Sequence, residues 1–320
     1  MFLQRLPISA ENITPLPKPH TLSSSPRSQT HRYPSLPSVT NLRSRTLALA
    51  SQKAAVEVPG ESSDGAVGSK LSREPEPLPP ELRPDLIPKH VAVIMDGNGR
   101  WAKMRGLMPS AGHEAGVRSL RRIIELCCSW GIKVLTVFAF SYDNWVRPKV
   151  EVDFLMSLFE RTITTEIDAF KSEGIRISVI GDTTKLPDSL QRMIKYAEEN
   201  TKESSVFQLI VAVSYSGKYD VVQACKAIAE KVKDGTMEPE DINESLIEQE
   251  LETNCTEFPN PDLMIRTSGE LRVSNFLLWQ LAYAELFFDP SLWPDFGKEQ
   301  FVEALASFQQ RQRRFGGRTS

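Results

Sequence analysis

From residue 90 onward the chain alternates short apolar runs with longer amphipathic stretches. Val91–Met95 is five apolar residues without a break, the pattern of a strand covered on both faces. Gly112–Ser129 sets Val117, Leu120, Ile123, Ile124 and Leu126 on one helical face. Val134–Phe140 reads as a second strand, and Glu151–Glu173 as a long helix with Phe154, Leu155, Leu158, Phe159, Ile163 and Ile167 in phase. The same logic gives a strand at Ile175–Ile180, a helix at Leu186–Asn200, a strand at Phe207–Val213 and a helix at Lys218–Lys233. A short strand at Asp262–Ile265, an apolar helix at Asn275–Ala284, a strand at Glu285–Phe288 and a helix at Lys298–Arg314 complete the series. Such alternation predicts an α/β fold: one domain with a central parallel sheet of about six strands flanked by helices, joined by right-handed crossovers.

The pattern is absent before residue 90. Residues 1–56 are rich in Ser, Pro and Thr, carry Arg5, Lys18, Arg27, Arg32, Arg43, Arg45 and Lys53, and hold a single acidic residue, Glu11. That is the composition of an organelle transit peptide, and its Ser and Pro content favours a plastid over a mitochondrion. A plain disordered tail has a similar composition. Over 57–88 acidic residues interleave with prolines, which predicts an extended linker. The folded domain is therefore expected over 89–317, and the mature protein in the plastid stroma.

Composition narrows the function classes. A net charge of −3 in 320 residues, without a basic stripe, gives no reason to expect nucleic acid. No apolar run approaches the roughly 18 residues of a membrane span. Cys127, Cys128, Cys225 and Cys255 form no C-x-x-C pair and read as reduced core residues. With only His90 and His113 beyond the first forty residues, a Cys/His zinc site is not expected. Neither G-x-S-x-G nor H-E-x-x-H occurs.

Candidate chemistry gathers where the strands end. Asp96 follows the first strand, where open α/β sheets place ligands, although a helix N-cap would also account for it. Gly97, Asn98, Gly99 and Arg100 follow directly; the glycines allow close backbone approach and the guanidinium matches phosphate. In a parallel sheet the same rim would carry the loop Ser141, Tyr142, Asp143, Asn144, Trp145 and Arg147, the turn Ser214–Gly217, and Arg266–Ser274, with Glu285 as a further carboxylate. Four arginines (Arg100, Arg147, Arg266 and Arg272) and few carboxylates suit two diphosphates and Mg²⁺, which takes few protein ligands and completes its shell with phosphate oxygens. Trp145 and Phe140 fit core positions as well as ligand contacts, and His113 fits a plain helix N-terminal residue. A phosphatase built on Asp96 would want a second aspartate two residues on, where Asn98 stands.

These blocks resemble the cis-prenyltransferase family, the undecaprenyl diphosphate synthase-like or Z-isoprenyl diphosphate synthases. The match runs through His90–Ala102, Gly112-His113-x-x-Gly116, Phe140–Pro148, Gly181-Asp182, Arg266–Glu270, Arg272–Gln280, Ala284-Glu285, Trp293–Phe296 and Arg313–Gly317. The resemblance implies condensation of isopentenyl diphosphate with an allylic prenyl diphosphate, each new double bond being cis. It implies Asp96 as the essential carboxylate at the allylic diphosphate and Mg²⁺, and Gly97, Asn98, Gly99 and Arg100 as the phosphate cradle. Trp101 and His113 become further substrate contacts, and Asn144 a group that removes or positions a proton, with Ser141, Tyr142, Asp143, Trp145 and Arg147 around it. Arg266, Arg272, Val273 and Ser274 fall in the isopentenyl diphosphate pocket. Glu285 matches a second Mg²⁺-associated carboxylate supplied across a homodimer interface. The family fold adds a hydrophobic tunnel, and long products imply peripheral membrane contact.

Three positions depart from common family members. Pro109 stands where many bacterial members carry an arginine, Leu271 where a polar residue is frequent, and Tyr142-Asp143 where Ser or Thr precedes Glu. None removes a core functional group. Non-catalytic partner subunits of the same fold generally lack the Asp-Gly-Asn block, which is intact here at Asp96–Asn98. Both short and long Z-prenyl products are compatible with the sequence.

Overall fold

The computed structural model describes residues 75–312. The expected transit peptide over 1–56, the first part of the expected linker and the Arg313–Gly317 block lie outside the described residues. Six strands form one parallel sheet: β1 (His90–Ile94), β2 (Val134–Ser141), β3 (Ile175–Ile180), β4 (Phe207–Tyr215), β5 (Leu263–Arg266) and β6 (Glu285–Phe288), in the order β3-β4-β2-β1-β5-β6. Among the described residues seven helices flank it: α1 (Asn98–Met104), α2 (Pro109–Trp130), α3 (Lys149–Ser172), α4 (Asp188–Thr201), α5 (Gly217–Lys233), α6 (Glu244–Glu250) and α7 (Lys298–Gln309).

All five residues of β1 are buried, as its unbroken apolar run requires of a strand covered on both faces. Its one polar residue, His90, is fully enclosed and satisfied: Nδ1 lies 2.7 Å from the Phe258 carbonyl and Nε2 2.7 Å from Thr136 Oγ1. Burial pulls its pKa down to about 4, so the ring is neutral at physiological pH.

The sheet order places the site. From β1 the chain leads through α1 and α2 to β2 on one side, whereas β5, paired to β1 on the other side, leads to β6. The carboxyl ends of β1 and β5 therefore flank the switch point of the sheet, where open α/β folds leave a crevice.

The structure corrects several expected elements. Asn275–Ala284 is a run of turns, not a helix: Ser274, Asn275 and Leu277 have positive φ of 46°, 62° and 44°. Asn275 is engaged in capping α5, accepting from Gly217 N and Lys218 N and donating to Ser216 Oγ. Phe276 and Leu277 are still fully buried, so the apolar pattern marked burial without helical geometry. The short α1 and α6 carry no apolar stripe and were not expected, and α7 stops at Gln309, short of Arg314. Cys127 is buried, but Cys225 is exposed on α5. Residues 75–88 pack against the domain: Leu82 and Ile87 join the core, Glu76 pairs with Arg122 and Lys298, and Arg83 exchanges two 2.9 Å hydrogen bonds with Gln309.

Candidate active site

Asp96 and Arg266 meet at the switch point. Ile94 and Arg266 are register partners at the ends of β1 and β5, so Asp96, two residues on, turns back over the arginine. One Asp96 oxygen lies 2.9 Å from the Arg266 guanidinium and the other 3.1 Å from that of Arg100. Burial alone would raise the Asp96 pKa, but the Arg266 hydrogen bond and the two guanidinium charges outweigh it and hold the carboxyl below its usual value. Thr267 fixes the Asp96 backbone from both sides: its hydroxyl accepts from Asp96 N at 3.0 Å and donates to Asp96 O at 2.8 Å.

Arg266 is only 4% exposed. It donates to the Arg272 carbonyl at 2.5 Å and to Ser274 Oγ at 2.6 Å, while its buried Nε finds no acceptor among the described residues. A buried guanidinium with a spare donor is suited to an incoming anion. Around it Arg100 donates to Ser268 Oγ at 2.7 Å, and Glu270 pairs with both Arg100 and Arg272. The carboxylate keeps two exposed guanidiniums in place.

The Asp96–Arg100 turn depends on glycines in two segments. Gly97 sits at φ +107°, and a Cβ there would lie 2.8 Å from Leu292 Cδ2. Gly112 and Gly116 of α2 let α1 approach: a Cβ would come within 2.1 Å of Asn98 O and 2.4 Å of Asn98 Oδ1, respectively. Gly97 caps α1, so the expected alternative of Asp96 as the N-cap does not hold.

The third contributor is the 3-10 turn Tyr142–Val146 after β2. Asn144 Oδ1 accepts from Ser141 N at 3.0 Å, and Ser141 Oγ accepts from Asp143 N at 3.2 Å. Trp145 donates to Ser214 Oγ at 3.0 Å and meets Phe140 edge-on, and Phe140 itself is core. Tyr142 stacks on Tyr219, with the Lys185 ammonium 3.6 Å from its ring centre. Arg147 donates to Glu151 at 3.0 Å. Burial lowers the His113 pKa and the nearby Arg147 lowers it further, against the pull of Glu151.

These groups share one cavity of about 990 Å³. Its polar end collects Asp96, Gly97, Asn98, Gly99, Arg100, His113, Ser141, Asp143, Asn144, Arg147, Arg266, Arg272 and Ser274. Away from that end the wall is mostly apolar, with Leu155, Phe159, Ile163, Phe170, Val179 and Leu209. Trp101, Tyr142, Trp145, Val273 and Glu285 are not part of the lining. Trp101 instead donates to Asp295 at 2.7 Å. The expected rim position of Glu285 is wrong for this chain by itself. Glu285 pairs in register with Leu263 at the start of β5, at the opposite end from Arg266, and lies 3.0 Å from Arg311. Sequence reasoning passed over Arg121, Glu151, Thr162 and Glu166, which also line the cavity. Their signal was phase: each falls in step with the apolar stripe of its helix.

The family model for putative undecaprenyl diphosphate synthase matches residues 94–316. The chain belongs to the undecaprenyl diphosphate synthase family. It is a cis-prenyltransferase, an enzyme that transfers prenyl groups, and is similar over most of its length to dehydrodolichyl diphosphate synthase 2 of Arabidopsis thaliana, with 66% identity over 81% of this chain and 84% of the relative. Cis-prenyltransferase 4, chloroplastic, of Solanum lycopersicum is 67% identical over 78% of this chain and 81% of its own. Among solved structures, lavandulyl diphosphate synthase from Lavandula x intermedia in complex with dimethylallyl diphosphate superposes with a TM-score of 0.71 at 45% identity, covering 73% of this chain and all of that one. The cis-prenyltransferase fold is thus a single parallel sheet whose switch point joins Asp96 to Arg266.

Proposed function

We propose that this cis-prenyltransferase condenses isopentenyl diphosphate with an allylic prenyl diphosphate and houses the growing hydrocarbon in the apolar part of its cavity, used as a tunnel. The observation that carries this reading is the joining of Asp96, Arg100 and Arg266 at the polar end of a cavity whose remaining wall is mostly apolar. Arg100 and the Gly97–Gly99 backbone take the allylic diphosphate; Arg266, Arg272 and Ser274 take the isopentenyl diphosphate. Guanidiniums fixed in advance by Glu270, Ser268 and Ser274 stabilise charge developing on the departing diphosphate without reorganising. The attacking alkene needs no protein nucleophile. Asn144, a poor base held by Ser141 N, positions the reacting carbon's proton, and the departing diphosphate accepts it. His113, whose pKa burial and then the charge of Arg147 lower below the usual imidazole value, lines the cavity as a further hydrogen-bonding group for the substrate.

The polar end fits Mg²⁺. Asp96 is a partly exposed carboxylate beside the arginines, and Mg²⁺ takes one or two carboxylates with phosphate oxygens. Asp96 would hold the ion, which when bound neutralises diphosphate charge. Glu285 reaches that role only from a second copy of the chain, in keeping with a homodimer. The intact Asp96–Asn98 block and the assembled arginines favour a catalytic subunit over a non-catalytic partner subunit.

The relatives' chloroplast designation and the composition of residues 1–56 support targeting to the plastid by a transit peptide. No helix among the described residues is long and apolar enough to cross a membrane. Exposed Met104 and Met108, next to Pro109 of the cavity lining, support peripheral contact with a membrane that receives long products. Incubation with labelled isopentenyl diphosphate and several allylic primers, followed by chromatography, tests the reading. Z-prenyl diphosphates made only with Mg²⁺ are expected. Release of inorganic phosphate from simple esters, with no condensation, overturns it.

A further inference from the structure

Two charged side chains stand in the apolar wall of the cavity. Arg121 of α2 and Glu166 of α3 form an ion pair, and both line the cavity. Their positions are in phase with greasy neighbours: Val117, Leu120 and Ile124 on α2; Leu155, Leu158 and Ile163 on α3. Glu166 is nearly buried, its side chain 11% exposed, and that of Arg121 is 32% exposed. A partly buried ion pair contributes little net stability compared with well-packed apolar side chains at the same positions. Something other than stability therefore favours charge there.

Position along the cavity suggests what. The polar end of α3 is Glu151, bonded to Arg147. Glu166 lies fifteen residues further, about 22 Å along the helix axis, and Phe170, one turn beyond, is the last α3 residue of the lining. A hydrocarbon growing from the diphosphate end meets only apolar wall and the Thr162 hydroxyl, which is already spent on Leu158 O, until it reaches the pair. To pass, it must displace the water around two charges or part them, and neither charge gains a new partner. A second ion pair, Arg161–Glu114, also bridges α2 and α3, but its side chains are 58% and 49% exposed and neither lines the cavity.

We propose that the Arg121–Glu166 pair is a polar latch across the α2–α3 seam that opposes extension of the prenyl chain and so helps to determine product length. The proposal rests on the cavity's role as the hydrocarbon tunnel. It is tested with the full-length chain, by chromatography of products made from labelled isopentenyl diphosphate and an allylic primer. In Arg121→Met/Glu166→Leu the product distribution shifts upward by at least one five-carbon unit, while KM for isopentenyl diphosphate stays within about twofold. Glu114→Ala, which breaks only the outer pair, keeps the wild-type distribution. The charge-swapped Arg121→Glu/Glu166→Arg returns the distribution toward wild type. Should the double variant fail to fold, judged by its thermal melt, the near-isosteric Glu166→Gln carries the test and gives a smaller lengthening. Unchanged or shorter products from variants that elongate normally, or equal lengthening by Glu114→Ala, overturn the latch. Wild-type protein that makes no condensation product overturns the tunnel reading itself.

Discussion

At the scale of single residues, the site is organised by charge. Asp96 is held ionised by Arg266 and Arg100 against the cost of its burial. Replacing it by asparagine keeps an acceptor for the buried Arg266, removes the charge, and turns the oxygen that faces Arg100 into an amide donor. Asp96→Asn should therefore fold normally by circular dichroism and lose roughly 10²–10³-fold in kcat/KM. His90 gives a prediction of the opposite kind, on stability. Its folded pKa of about 4 lies below the unfolded 6.5, so the unfolded chain binds the extra proton between those values. The stability it contributes is complete above pH 6.5 and is lost as pH falls to about 4, a swing on the order of 3 kcal/mol. Denaturant titrations should show that pH dependence in the wild type and a flatter profile over the same window in His90→Gln.

At the scale of elements, the close contact of α1 with α2 is what shapes the proposed phosphate cradle. In Gly116→Ala the new methyl would fall 2.4 Å from Asn98 Oδ1 and 2.9 Å from Trp293 Cδ1, so α1 must shift. Overpacking of that order costs about 1–3 kcal/mol. The expected result is a lower melting temperature together with a raised KM for the allylic substrate, since Asn98–Arg100 ride on α1. Elements with a strong period were legible in the sequence: the unbroken run of β1 and the stripe of α3 predicted their type and their burial. Elements defined by local hydrogen bonding were not. Nothing in the apolar run after Ser274 announced that Asn275 would turn left-handed to cap α5, and α1 was hidden because its residues serve the turn after β1 and carry no stripe. Within the site, charges standing at strand ends were legible, whereas Arg121, Glu151 and Glu166 were masked by the hydrophobic helices that carry them.

At the scale of the whole molecule, the domain begins earlier than its first strand. Leu82 and Ile87 are in the core and Glu76 bridges Arg122 and Lys298, so residues 75–88 tie α2 to α7. A chain starting at residue 64 should match the full-length protein in kcat. One starting at residue 89 exposes two apolar sockets and should lose about 4 kcal/mol in urea unfolding. The sheet order has a consequence for biosynthesis. Asp96 and its partner Arg266 are 170 positions apart, and β5 takes its place beside β1 only after four strands have been made. A polypeptide still emerging from the ribosome therefore lacks the Asp96–Arg266 contact until β5 has been made, so the two halves of the site come together only in a nearly finished chain.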